Sequence, residues 1–492
     1  VLKQETQERQ EVNFMKLLII ADDLSGAADC AIGFANAGHR TIVTLDVADD
    51  AATHARPADD AEVIAADTDT RRLAPAAAGE RTARAWAALG AERRLYKKID
   101  STLRGNWAAE VAALQARAGL AIVAPAFPAT GRTVRGGELW VHGVPLAQTE
   151  TWRLEHADRD ADMAAMLAQA GLRSERFDAA LLYDDPRALA RRVALIAAEG
   201  EDGAQALIVD AQSESDLRAL ARATLALDGA FFWVGSGGLA RELATFDAPG
   251  SMNAMNATKP TTPTSEASAT DATGATSEAH ERPADERTSG TSGTSGANGA
   301  HGPILVLVGS LSAVGERQCA VLRERVSTEG PHGLVELVVP PAVLRAGAAH
   351  EHWLQWGARI GATLGSHTDL LLRIGRDDAF DPAEGAHLSA MLAALVAPHF
   401  TKIGGLIATG GETARAMLDA AGIGSLRLVA EIEAGVAVAR PHAAPSGHRH
   451  RPAVVTKAGA FGTETALYAA WLHLSELAQE GTARATQRAG AE

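Results

Sequence analysis

The chain has 492 residues, 47% of them hydrophobic but only 4% aromatic, and a formal charge of −15 at neutral pH. This length exceeds one ordinary core and predicts two domains. The acidic balance excludes nonspecific attraction to nucleic acid or an anionic membrane surface. Cys30 and Cys319, far apart and without metal-ligand spacing, read as reduced thiols of a cytoplasmic protein. Residues 1–14 are polar, lack an apolar signal core, and read as a disordered extension before Met15-Lys16. No apolar run reaches the roughly 18 residues of a membrane span.

From Lys16 onward, apolar runs alternate with Ala-rich helical stretches. Strands are predicted at 16–21, 40–45, 62–67, 94–99, 121–124, 206–209 and 231–234, and helices at 26–37, 75–89, 107–118, 160–169, 186–198 and 215–227. Residues 250–302 are dense in Ser, Thr, Ala, Gly and Glu and read as a disordered linker. Beyond it, strands are predicted at 304–308, 333–337, 369–374, 405–408, 426–432 and 453–457, and helices at 313–325, 351–364, 388–397 and 412–421. The expected fold is α/β, with two domains at 15–249 and 303–475, each a largely parallel sheet covered by helices. A flexible tail is expected over 476–492.

Ligands of open α/β sheets bind at the carboxyl ends of strands. Two such ends carry dense charge. Asp22-Asp23-Leu24-Ser25-Gly26 opens a helix. It reads either as ordinary N-capping or as a group that engages substrate hydroxyls, a base or a metal. Lys97-Lys98-Ile99-Asp100-Ser101-Thr102-Leu103-Arg104-Gly105 combines helix-entry amides, two cations suited to an anion, and a carboxylate able to orient a hydroxyl. Its alternative is a capped helix with solvated basic residues. A third strand end, Pro125 to Thr133, continues to Leu146 as a long shaped loop, and its Arg132 reads as a substrate ligand or a structural ion pair. The C-terminal half offers glycine turns at Val308-Gly309-Ser310-Leu311-Ser312, Ala408-Thr409-Gly410-Gly411-Glu412-Thr413 and Lys457-Ala458-Gly459-Ala460-Phe461-Gly462. Glycine admits phosphate to backbone amides, yet none of the three fits a P-loop or a GxGxxG fingerprint. His442, His448 and His450 lack a Cys or carboxylate to complete a ligand set and read as a solvated loop.

Taken in order, ADDLSGA, KKIDSTLRGN, PAFPATGRT, the turn at 308–310, ATGGET and KAGAFG resemble the four-carbon acid sugar kinases. The resemblance covers nearly all of both domains. It departs at Thr151-Trp152-Arg153-Leu154-Glu155, where the family often carries a Phe-Ala-Arg-Asp-Pro-like segment. It implies ATP- and Mg²⁺-dependent phosphorylation of the 4-hydroxyl of threonate, erythronate or 3-oxo-tetronate, leaning to D-threonate. It implies an N-terminal acid-sugar domain with Asp22, Asp23, Lys98, Asp100, Ser101, Arg104 and Arg132 at the sugar. It implies a C-terminal nucleotide domain with Ser310, Ser312, Gly410, Gly411, Glu412, Thr413, Gly459 and Gly462 at ATP. On this reading Asp23 or Asp100 is the catalytic base, Ser25 lines the sugar site, Ser101, Thr102 and Arg104 hold the substrate carboxylate, and the metal ligands stay open. The expected partners are the acid sugar and ATP, not nucleic acid or membrane, with a homodimer as an open assembly. Two rivals are a noncatalytic sugar-acid sensor and a nucleotide-dependent dehydrogenase, the latter disfavoured by the missing strand–GxGxxG–helix unit.

Overall fold

The computed structural model describes residues 16–45, 61–149, 152–153, 161–246, 302–309, 312–329, 333–379, 381, 384–442, 451–459 and 461–489. The expected extension at 1–14, all but Gly302 of the expected linker, Ser310, His448 and His450 lie outside the described residues.

Eighteen strands are described in chain order. They are β1 (Leu17–Ala21), β2 (Thr41–Thr44), β3 (Val63–Asp67), β4 (Arg94–Lys98), β5 (Leu120–Ala124), β6 (Arg132–Arg135), β7 (Glu138–Val141), β8 (Val144–Pro145) and β9 (Ser174–Asp178). Then come β10 (Ala206–Asp210), β11 (Phe231–Gly235), β12 (Ile304–Val308), β13 (Leu334–Val339), β14 (Asp369–Ile374), β15 (Gly405–Thr409), β16 (Ser425–Glu433), β17 (Val436–Pro441) and β18 (Ala453–Lys457). The helices are α1 (Leu24–Asn36), α2 (Pro75–Leu89), α3 (Trp107–Ala118), α4 (Met163–Gln169), α5 (Leu181–Asp184), α6 (Ala188–Ala198) and α7 (Glu214–Leu225). They continue as α8 (Gly237–Phe246), α9 (Ala313–Glu329), α10 (Pro341–Ala346), α11 (Trp353–Gly365), α12 (Gly385–Val396), α13 (Gly411–Ala420) and α14 (Ala466–Ala489).

Strands covered on both faces are apolar throughout, as in β1, Leu-Leu-Ile-Ile-Ala, where every residue is buried. The two halves do not close separate sheets. One 15-stranded sheet runs β13-β14-β12-β15-β18-β17-β16-β2-β3-β1-β4-β11-β5-β10-β9. The seam is an antiparallel ladder in which Ser425, Leu426 and Arg427 of β16 pair with Thr44, Val43 and Ile42 of β2. Three successive antiparallel pairings, β2–β16, β16–β17 and β17–β18, reverse the direction of the C-terminal parallel set. Register shifts at Leu428/Ala430 and Glu431/Glu433 interrupt β16, and such bulges bend a strand. The carboxyl ends of both parallel sets meet in one cleft.

Several elements differ from the sequence expectation. The expected loop after Pro125 contains a three-stranded sheet, β6-β7-β8. Gly136 and Gly137, at φ +60° and +80°, form its first turn, and the Asp210 carboxylate accepts both of their amides at 2.7 and 2.8 Å. Strands β9 and β17 and helices α5, α8, α10 and α14 are further additions. Helix α14 continues to Ala489, where a flexible tail was expected from Glu476.

Candidate active site

Asp23 is the N-cap of α1, and its side chain accepts the Gly26 amide at 3.0 Å. Capping therefore accounts for part of the pair, but not for its ionic setting. The Arg71 guanidinium grips Asp22 in bidentate fashion at 2.7 and 3.0 Å. It reaches Asp23 at 3.0 and 3.2 Å and stands 3.7 Å from Asp100. One cation thus spans three carboxylates. Burial alone would raise Asp22, but the charge and hydrogen bonds of Arg71 outweigh it and hold the carboxyl below its ordinary value. Burial is likewise overcome at Asp100, where Arg104 and Arg71 hold the carboxyl well below the usual range. Both Asp100 oxygens are engaged. Oδ1 accepts the Thr102 amide at 2.8 Å and the Thr102 hydroxyl at 2.5 Å, and Oδ2 accepts Arg104 at 2.6 Å.

Lys98 projects from the end of β4 over the first turn of α1. A Cβ at Gly26 would collide with its Nζ, so glycine is what admits the ammonium there. Burial depresses Lys98, yet the charges of Asp23 and Asp22 help return its pKa above the ordinary value. Ser25 is buried, and its hydroxyl has no hydrogen-bond partner among the described residues.

The nucleotide-side turns face this cluster. Gly309, Ser312, Gly410, Gly411, Glu412, Thr413, Ala458, Gly459 and Phe461 line the same cleft as Asp22, Asp23, Ser25, Lys98, Asp100, Ser101 and Arg104. Its volume is about 780 Å³. Gly410 takes φ +96°, and a Cβ at Gly309 would strike the Thr413 hydroxyl, so both glycines are required by the turn. Lys457 donates to the carbonyls of Ala458, Gly459 and Phe461 at 2.8, 3.1 and 2.9 Å. The Gln318 amide holds the Phe461 and Thr463 carbonyls at 3.1 and 2.8 Å. The KAGAFG turn is therefore clamped from beneath. Ser312 donates to the Gly459 carbonyl at 3.3 Å and accepts the Gly315 amide at 3.1 Å, tying two turns together while it caps α9.

Three expected ligands stand outside the cleft wall. Thr102 serves Asp100, and Gly462, at φ +86°, shapes the turn beside Glu433. The Arg132 guanidinium lies 5.5 Å from the centroid of the Phe461 ring and bridges the two halves. Arg71, Asp67, Asp69, Ser236 and Gly237 line the cleft without having been singled out in the sequence. The signal for the first three is Asp67-Thr68-Asp69-Thr70-Arg71-Arg72, another strand end that turns polar, obscured because a turn rather than a helix follows. Ser236-Gly237 opens α8 directly after β11 in the same manner.

Contacts cross the seam at several points. Arg415 of α13 donates to Asp67 at 2.6 Å, Arg72 donates to Glu412 at 3.1 Å, and Arg241 reaches Glu431 at 3.1 Å. A Cβ at Gly411 would sit 2.8 Å from Asp23 Oδ2, so the start of α13 faces the Asp22-Asp23 pair directly.

A cation-and-carboxylate pocket on one half thus faces clamped glycine turns on the other, suited to a small charged molecule on one side and to phosphate on the other. Family models agree: a sugar-binding N-terminal domain matches residues 17–243, and a nucleotide-binding C-terminal domain matches residues 305–467. The chain is 50% identical to a D-threonate kinase of Cupriavidus necator, over 94% of this chain and 99% of that one. It is 31% identical to a D-threonate kinase of Bordetella bronchiseptica, over 91% and 95%. A 3-oxo-tetronate kinase of Methylobacterium radiotolerans is 38% identical over 48% of this chain and 56% of its own. A crystal structure from Salmonella typhimurium shares the fold with a TM-score of 0.66 at 22% identity, covering 92% of this chain and 98% of that one. The chain belongs to the four-carbon acid sugar kinase family, and it is a sugar-acid kinase.

Proposed function

We propose that the chain transfers the γ-phosphoryl group of ATP to the 4-hydroxyl of D-threonate, giving 4-phospho-D-threonate and ADP. The observation that carries this reading is the juxtaposition of Asp23 with the start of α13 across the seam. D-Threonate is preferred over D-erythronate and 3-oxo-tetronates because the 50% identical relative carries that name. Phosphoryl transfer demands in-line placement and charge neutralisation more than covalent chemistry. Lys98, Arg71 and Arg104, with Ser25 and Ser101, would hold the acid sugar. The amides of the Gly309, Gly410–Gly411 and Gly459 turns would hold the triphosphate. Asp23 is the better base. Both carboxylates are hydrogen-bonded through both oxygens, but Asp23 Oδ2 faces the start of α13 across the seam, while Arg104 and Arg71 hold the Asp100 carboxyl well below the usual range. The C4 hydroxyl oxygen attacks phosphorus, the bond to the β,γ-bridging oxygen breaks, and Asp23 takes the hydroxyl proton.

Mg²⁺ would arrive with the triphosphate. Among the described residues no group of three or more His, Cys, Asp or Glu side chains is placed to cage a metal, and Asp22 and Asp23 are held by Arg71. A cytoplasmic setting fits Cys30 and Cys319, both buried free thiols.

A coupled ADP-release assay over D-threonate, L-threonate, D-erythronate and 3-oxo-tetronates tests the substrate. The highest kcat/KM is expected for D-threonate, and binding without ADP release would favour a sensor. Asp23→Asn is expected to lower kcat by about 10²–10⁴-fold, the range for a positioned base. Asp100→Asn is expected to raise the acid-sugar KM more than it lowers kcat. Near-normal turnover in Asp23→Asn would sink the assignment of the base.

A further inference from the structure

The segment that presents Arg71 is anchored at both ends to one helix of the other domain. At its start, the buried Asp67 carboxylate divides its two oxygens. Oδ2 accepts Arg415 at 2.6 Å, and Oδ1 accepts the Asp69 amide at 2.9 Å. Asp69 sits at φ +48°, a left-handed conformation that costs a non-glycine residue energy and persists only where neighbours hold it. At its far end, Arg72 is paired with Glu412. Arg71 lies between these anchors, with its guanidinium on Asp22 and Asp23.

Both anchors grow from α13. Glu412 is in its first turn and Arg415 one turn in, immediately behind the Gly410–Gly411 turn. Arg415 is itself only 14% exposed and reaches a third point in the opposite domain, donating to the Leu45 carbonyl at 3.1 Å. Helix α13 is short and packed, so a shift at its glycine end moves Arg415 with it.

We infer that Arg415 is a positioning residue that links nucleotide occupancy at the Gly410–Gly411 turn to the placement of Arg71, so that nucleotide and acid sugar tighten each other's binding. This rests on the proposed function above, because it takes Arg71 as a sugar-acid ligand and the glycine turn as a phosphate ligand. Coupling between two sites is reciprocal: each ligand improves the other by the same factor.

The experiment is isothermal titration of the full chain with D-threonate, with and without a nonhydrolysable ATP analogue. The wild-type Kd ratio is expected at fivefold or more, within the usual range of such couplings. Arg415→Met is expected to bring the ratio to about one while the analogue's own Kd stays within about threefold, and Arg415→Lys to restore part of it. Asp67→Asn, nearly isosteric, tests the contact from the opposite side should Arg415→Met fold poorly, and the two changes combined should add no further loss. In turnover, Arg415→Met should raise the acid-sugar KM more than the ATP KM. A wild-type ratio of one, or a full ratio retained in both single variants, overturns the inference. If wild type binds none of the four-carbon acids, the substrate reading fails instead, a result separate from loss of coupling.

Discussion

Asp22, Asp23 and Asp100 are three identical carboxyl groups within one cleft, and their neighbours give them different work. Asp22 is spent on Arg71, Asp100 on Thr102 and Arg104, and Asp23, shared between the Gly26 amide and Arg71, also faces the start of α13 across the seam. The first two have lowered pKa values in the fold, so the stability they add is present above the ordinary carboxylate value of 3.8. It is lost only as pH falls through the lowered values. Thermal unfolding across pH should therefore show no step from these groups near neutrality and a decline on the acid side, blunted in Asp100→Asn. A midpoint that moves near neutral pH in wild type and not in Asp100→Asn would contradict this. Most of these residues were legible in the sequence because strand ends that turn abruptly polar are rare and conspicuous. Arg71 was not, since its importance lies in three long-range partners that no local pattern reveals.

Among the elements, β4 and α3 are joined by a buried ion pair. Lys97 and Glu110 are 0% and 1% exposed, with Nζ 2.8 Å from Oε2, and Glu110 also accepts the Thr70 hydroxyl. Removing one partner strands the other charge. Glu110→Gln is expected to cost about 3–5 kcal/mol by urea denaturation, while Lys97→Met with Glu110→Leu should recover most of it. Equal losses in the single and double variants would refute this reading. The alternation of apolar runs and Ala-rich stretches made most strands and helices legible. The β6–β7 hairpin escaped although Thr133-Val134-Arg135 and Glu138-Leu139-Trp140 flank a Gly-Gly pair, because the density of turn residues outweighed the alternation. Strand β9, Ser-Glu-Arg-Phe-Asp, escaped because a charged edge strand carries little apolar signal.

At the scale of the molecule, the alternation of elements implied two separate sheets, and nothing local to β2 or β16 announced that they would pair. That register depends on how two finished surfaces meet. It carries a prediction for unfolding. Trp233 in β11 and Trp471 in α14 report on opposite halves, and their urea transitions should coincide. A proline at Leu426, which pairs with both Val43 and Pro441, should separate them. Separate transitions already present in wild type would show that the ladder does not couple the halves. The same seam has a consequence for heredity. Strand β2 ends one half's sheet and β16 ends the other's, so each half is the other's edge protection. A gene fragment encoding one half alone would yield a protein with a bare row of amides and carbonyls, prone to pair with whatever strand it met. The sugar-binding and nucleotide-binding halves are thus bound to be kept or lost together, for reasons of solubility before any question of catalysis arises.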